Sequence, residues 1–382
     1  MNIPSLKVTF TTEERNWILE NINKVLCSGQ ISQGEYVKQL EEEVKNYVDA
    51  KYAIAVNSGS SAIELVMRAL NVKGRDVIIP TNTFLATAMG VHNAGGNVVL
   101  ADVKPDTLNI GLKQIEEVIT ENTAGIIIVH IGGIITPEID QIKDFCDKRG
   151  IWLFEDAAHA IGCNYSEKYA GMFGIAGSYS LFATKVITSG EGGIIVTNSG
   201  ELNEKLRILR NHGKEQDWET YHTEISSNYR MSEITAIVGM AQFKRLDEKI
   251  AKRNEIAQYY FSEFIKIPEI KVLFPENKCN WYKIIVMLPD NVDAIELKKR
   301  MKENGIGLPG EVYRIPLHKQ PIANRLNFTG DYKNADKICR QHICFPIYEE
   351  LTMEQAESVV SNFIKIFKSM YYGLNKEIRR NI

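Results

Sequence analysis

With 382 residues, the chain exceeds the roughly 250–300 at which a single core stops growing, so two domains are expected. It is 44% hydrophobic and 24% charged, an ordinary globular balance, and a formal net charge of -3 argues against coating nucleic acid or acidic lipid. The opening "MNIPSLKVTFTTEERNW" lacks the basic start and apolar stretch of a signal peptide, and no run approaches the ~18 apolar residues that cross a bilayer. Six cysteines show neither CxxC nor zinc spacing, so no metal site is expected, and they read as free thiols in a reducing cytoplasm.

In chain order, "YAIAV" (52–56) is an apolar strand and "SSAIELVMRAL" (60–70) has helical spacing. "DVIIP" (76–80) is a strand, and "FLATAMGVHNAG" (84–95) is a helix that stops at glycine. "NVVLAD" (97–102), "AGIIIVH" (124–130) and "IWLFED" (151–156) are buried strands, with helices between them at 111–120 and 138–149. "GSYSLFA" (177–183) and "GGIIVT" (192–197) are strands too. Such alternation of helices with near-continuous apolar strands predicts an α/β fold, a mostly parallel sheet covered by helices on both faces. Helices then dominate, at 201–211 and in one long run over 231–265. Strands at 270–274, 281–288 and 310–315 and helices at 293–304, 331–341 and 352–370 predict a smaller α+β domain. The division falls between 1–250 and 251–382, with the N-terminal segment able to pack on the smaller domain. The terminal "KEIRR" reads as a solvated tail.

Four polar clusters fall at strand ends, where open α/β sheets bind ligands. "NSGSSA" (57–62) opens a helix, so Gly59, Ser60 and Ser61 form either a plain N-cap or a phosphate site. Glu155 and Asp156 end a buried strand, where an acid caps the next helix or faces a ligand. Phe84 is either core or a ligand contact. Lys185 sits among apolar and small residues before Gly190, Gly192 and Gly193, and a desolvated lysine is a route to an amine nucleophile. Pyridoxal phosphate would use all four: a lysine for its aldehyde, an acid for its ring nitrogen, a phosphate cradle and an aromatic face.

With these clusters in view, the sequence resembles the sugar aminotransferases of the DegT/DnrJ/EryC1/StrS family, which have the fold of PLP-dependent transferases of type I. The matching segments are "SGQISQGEYVKQLEEEVKNYV", "YAIAVNSGSSAIEL", "VIIPTNTFLATA", "EDAAHAIG", "SLFATKVITSGEGG", "RNHG", "NYRMSEITAIVGMAQFKRLDE" and "IPLHKQP", in family order from about residue 28 to beyond 320. The resemblance implies that Lys185 bonds the cofactor aldehyde and that Asp156 pairs with the pyridinium nitrogen. It gives the phosphate to Gly59, Ser60, Ser61 and Ser180, and the ring face to Phe84. Asn228 resembles the asparagine that reaches the phosphate from a neighbouring subunit, which implies a homodimer with shared active sites. His159 stands near the cofactor's 3-hydroxyl, where most relatives have glutamine.

The stretch "HIGGIITPEI" (130–139) departs from the family's G-x-P-A-D-M pattern close to the active site. A lyase branch has histidine in place of the lysine, whereas this chain keeps Lys185, which argues against dehydration. The implied activity is transfer of an amino group from L-glutamate to a nucleotide-linked keto-deoxysugar for a surface polysaccharide or glycoside. The alternative acceptor is a small phosphorylated ketone, such as dihydroxyacetone phosphate giving serinol phosphate, or a free keto-sugar for capsule synthesis. A PLP-dependent lyase and a non-enzymatic regulator are the remaining readings.

Overall fold

The computed structural model describes residues 2–216 and 218–378. Two helices that the sequence pattern left unassigned come first, α1 (Thr12–Ser28) and α2 (Glu35–Tyr47). The Thr11 hydroxyl accepts from the Glu14 N–H, the Glu14 carboxylate accepts from the Thr11 N–H, and Gly29 ends α1 at φ 73.

Strands and helices then alternate: β1 (Tyr52–Val56), α3 (Gly59–Ala69), β2 (Asp76–Pro80), α4 (Leu85–Asn93), β3 (Asn97–Ala101), α5 (Leu112–Glu116), β4 (Thr123–Val129), α6 (Ile139–Arg149) and β5 (Trp152–Asp156). A short hairpin, β6 (Asn164–Tyr165) with β7 (Lys168–Tyr169), precedes β8 (Ala176–Ser180), β9 (Gly193–Thr197) and α7 (Gly200–Arg210). The helix expected over 111–120 stops at Glu116. Seven strands form one sheet in the order β1-β9-β8-β5-β4-β2-β3. Its pairs are parallel except where β9 lies antiparallel between β1 and β8. Helices on both faces explain why Ile126, Ile127 and Ile128 are successive yet all buried.

The single helix expected over 231–265 is two, α8 (Glu233–Phe243) and α9 (Leu246–Phe264). The break lies at Arg245, whose backbone leaves helical geometry at φ -106, ψ 12. Its guanidinium thereby reaches Glu14, Glu248 and Glu349, an ionic cluster that fixes α1 and a distant loop against the helix pair. Beyond it come β10 (Lys271–Val272), β11 (Ile284–Met287), α10 (Ala294–Glu303), α11 (Lys333–Gln341), β12 (His342–Phe345) and α12 (Met353–Ile378). β10, β11 and β12 form a second, antiparallel sheet. The strand expected at 310–315 does not form, because its backbone is taken by side chains. Val312 N–H donates to His342 Nε2 at 2.9 Å, and Asn82 holds both the Val312 carbonyl and the Tyr313 N–H. Its place in the sheet goes to β12, which the sequence pattern left unassigned.

The N-terminal segment joins the second sheet's side of the molecule: Ile3 N–H donates to Gly305 O and Gly307 N–H to Ile3 O, both at 2.8 Å. The "KEIRR" tail lies outside the described residues from 379 onward. Among the described residues no helix is long and apolar enough to cross a membrane.

Candidate active site

A cavity of about 400 Å³ opens at the carboxyl ends of β1, β2, β4, β5 and β8, with Tyr282 and Tyr313 closing it from the second sheet's side. The parallel arrangement brings these strand ends together, so residues from Ser58 to Ser180 share one wall.

The end of β5 shows how a strand assigns roles. Side chains alternate, so Glu155 and Asp156 face opposite ways. Glu155 is fully buried and structural: its carboxylate accepts the N–H groups of Gly171, Phe173 and Gly174 at 2.6, 2.6 and 2.8 Å, and meets His130 Nε2 at 2.8 Å. Asp156 faces the cavity, where its carboxylate accepts from Thr87 Oγ1 at 2.8 Å and from the Ala158 N–H at 3.2 Å. Burial pushes the Asp156 carboxyl above its usual range, and Thr87, the Ala158 N–H and Lys185 act against that shift. A cation set against it in the cavity would hold it ionised.

The start of α3 lines the far wall. Ser58 caps it by accepting the Ser61 N–H at 3.1 Å, which leaves the N–H groups of Gly59 and Ser60 without helical partners. A methyl group on Gly59 would lie 2.9 Å from Ser180 Cβ, so only glycine lets β8 approach this turn. Behind it, a methyl on Gly193 of β9 would lie 2.4 Å from the Ser58 carbonyl oxygen. The result is a small concave patch of backbone N–H groups and the Ser180 hydroxyl at a helix N-terminus, a donor set that suits phosphate.

Lys185 stands on the loop between β8 and β9. That loop is pinned where Ser189 N–H donates to Leu181 O at 3.0 Å and Leu181 N–H to Gly192 O at 2.9 Å, and Gly190 supplies its turn at φ 83. Burial draws the Lys185 amine down to about 8; Lys283 adds to the shift and Asp156 opposes it. Its Nζ lies 4.7 Å from the centre of the Tyr282 ring, on which His159 also stacks at 4.2 Å. His159 Nδ1 accepts the Gly132 N–H at 3.2 Å, so the neutral ring carries its proton on Nε2, 3.3 Å from the Tyr313 hydroxyl. Burial, with Lys185 and Lys283 nearby, keeps His159 well below the usual imidazole range. Phe84, 59% exposed, flanks the mouth 5.9 Å from the Tyr313 ring.

The sequence pattern of the DegT/DnrJ/EryC1/StrS aminotransferase family matches residues 12–364. The chain belongs to this family. The aminotransferase is 34% identical over 353 residues to GDP-perosamine synthase from Caulobacter vibrioides, which covers 91% of this chain and 94% of that one. PseC from Helicobacter pylori, an aminotransferase involved in the biosynthesis of pseudoaminic acid, superposes with a TM-score of 0.90 at 27% identity, over 97% of this chain and all of PseC. NtdA from Bacillus subtilis, solved with bound cofactor PMP, superposes with a TM-score of 0.89 at 26% identity, over 96% of this chain and 85% of NtdA.

The aminotransferase uses pyridoxal phosphate, and its cavity fits that group: an amine, a carboxylate with two supporting donors and a phosphate-shaped turn converge there. Of the residues singled out by sequence, Gly59, Ser60, Phe84, Asp156, His159, Ser180 and Lys185 line the cavity. Two others lie off its wall. The Ser61 hydroxyl meets the Ser58 hydroxyl at 2.9 Å, and Asn228 is exposed, its side-chain oxygen accepting the Arg230 N–H at 3.1 Å. Ser58, Thr87, Tyr282 and Tyr313 were missed. Thr87 had one available signal, its place one helical turn after Thr83 at a strand end, and those two hydroxyls meet at 2.8 Å.

Proposed function

We propose that the protein transfers an amino group from L-glutamate to the ketone of a nucleotide-linked deoxysugar, with Lys185 as the proton-moving base and Asp156 as the partner of the cofactor's ring nitrogen. The convergence of Lys185, Asp156 and the α3 turn on one cavity carries this reading. Pyridoxal phosphate supplies an aldehyde that takes up the amino group and a protonated ring that withdraws electrons.

The chain's own residues do the rest. The α3 N–H groups and Ser180 hold the phosphate, Phe84 covers the ring, and Ser61 supports the turn through Ser58. Asp156, kept in place by Thr87, holds the ring nitrogen protonated. Lys185, with its pKa near 8, offers a neutral amine close to physiological pH and takes the proton from the donor's α carbon. His159, fixed as the Nε2–H tautomer, donates into the cavity and does not gain charge there.

The Caulobacter relative is named for making GDP-perosamine, a nucleotide-linked sugar, which supports this acceptor class. We place residues 1–250 in the cofactor-binding domain and 251–382 in the smaller one, with α9 crossing the division. The active unit is a homodimer in the cytoplasm. Trp218, Tyr221 and Ile225, 79%, 66% and 90% exposed on the segment leading to Asn228, form the apolar surface it would bury. The test is an acceptor screen with cofactor-loaded protein and glutamate, read by mass spectrometry. Nucleotide keto-sugars and small keto-phosphates are offered together; amination of only the latter would reassign the substrate class.

A further inference from the structure

Next to the cavity, outside the residues that line it, stands a second lysine. Lys283 follows Tyr282 and leads into β11, and its Nζ lies 5.2 Å from the centre of the Tyr282 ring, the ring that Lys185 approaches at 4.7 Å. Two ammonium groups therefore share one aromatic platform, and Lys283 disfavours charge on both Lys185 and His159. Lys283 is half-buried, which draws its own pKa down. Among the described residues no hydrogen-bond acceptor or carboxylate holds it. Glu311, an acid that acts on it, is engaged by Lys298 at 2.7 Å, and nearby Arg253 is bound to the carbonyls of Trp281 and Ile347. A half-buried cation beside another cation costs free energy until an anion joins it.

The geometry points to Lys283 as the anchor for the α-carboxylate of the amino donor and of the 2-oxo acid it becomes. This rests on the transamination reading. The phosphate-suited end of the cavity is built from other residues, so Lys283 is available to a second anion. An amino acid carries its carboxylate one bond from the carbon that Lys185 deprotonates, which suits a cation on the same ring. A compact ammonium serves as a point charge for a carboxylate without demanding fork geometry. A nucleotide-linked keto-sugar carries its charge on the diphosphate and has no carboxylate beside its reacting carbon, so Lys283 distinguishes donor from acceptor at that carbon.

The test compares cofactor-loaded wild type with Lys283→Met and Lys283→Arg, each checked for folding by circular dichroism. Binding of glutarate, an unreactive dicarboxylate, is measured by calorimetry. Lys283→Met should raise its Kd about tenfold or more, and Lys283→Arg should recover part of the loss. In single turnovers followed by cofactor absorbance, the glutamate concentration at half-maximal rate should rise similarly, while the saturated rate changes by less than roughly threefold. Acceptor KM should stay at its wild-type value. In the cofactor-free protein, Lys283→Met should raise the pKa of Lys185. Equal glutarate affinity in wild type and Lys283→Met overturns the anchor, as does a wild type that binds no glutarate. A wild type that binds glutarate through Lys283 but exchanges no amino group with glutamate defeats the transamination reading instead.

Discussion

On the proposed reading, the chemistry of the cavity rests on one amine, Lys185. Lys185→Ala should slow the glutamate half-reaction by at least about a thousandfold, measured by cofactor absorbance in single turnovers. Its depressed pKa has a separate signature. Only the neutral amine attacks an aldehyde, so cofactor capture by the cofactor-free protein should fall about tenfold per pH unit below 8 and level off above it. A midpoint near the ordinary lysine value of 10.5 would show that the amine is not desolvated. Asp156→Asn should fold normally yet cut the half-reaction about a hundredfold or more, since an amide cannot hold the ring nitrogen protonated. At this scale the sequence was informative where backbone position decides the contact, as at Gly59, Asp156 and Lys185, all close to strand ends. Tyr282 and Tyr313 escaped because they come from the smaller sheet's side, and nothing local in "WYKIIVML" or "GEVYRI" tells which ring will face β5.

Among the elements, β9 does more than complete the sheet. Its Gly193 backs the phosphate turn, and Gly193→Ala would press a methyl against the Ser58 carbonyl oxygen, costing about 1–3 kcal/mol. The loss should appear as weaker binding of pyridoxal phosphate, with binding of phosphate-free pyridoxal much less affected, both read by fluorescence titration. Glu155, on the other face of β5, should behave differently. Glu155→Ala strands two buried N–H donors and one partly buried one and should lower stability by about 3–5 kcal/mol, seen as a fall in Tm. The strands of the large sheet were legible because their apolar runs are bounded by turn residues. The split at Arg245 and the loss of the 310–315 strand were not, because both depend on side chains distant in sequence: Glu14 and Glu349 in one case, Asn82 and His342 in the other.

For the whole molecule, the shared-site reading makes a complementation prediction. Lys185→Ala chains mixed with chains weakened at Asn228 should, after subunit exchange, form some dimers with one intact site, and activity should exceed that of either parent. No gain despite proven exchange and a severe Asn228 defect would place each site within one chain. The strand order has a further consequence, for synthesis. β1 pairs with β9 and nothing else in the large sheet, so its partner is made roughly 140 residues later. At about 5–20 residues per second, that leaves β1 waiting about 7–30 s on the ribosome. Gly193 arrives with that same late strand, and Lys185 only just before it. A nascent chain halted before residue 185 would thus present β1 as an open edge, a target for chaperones, and would retain no cofactor.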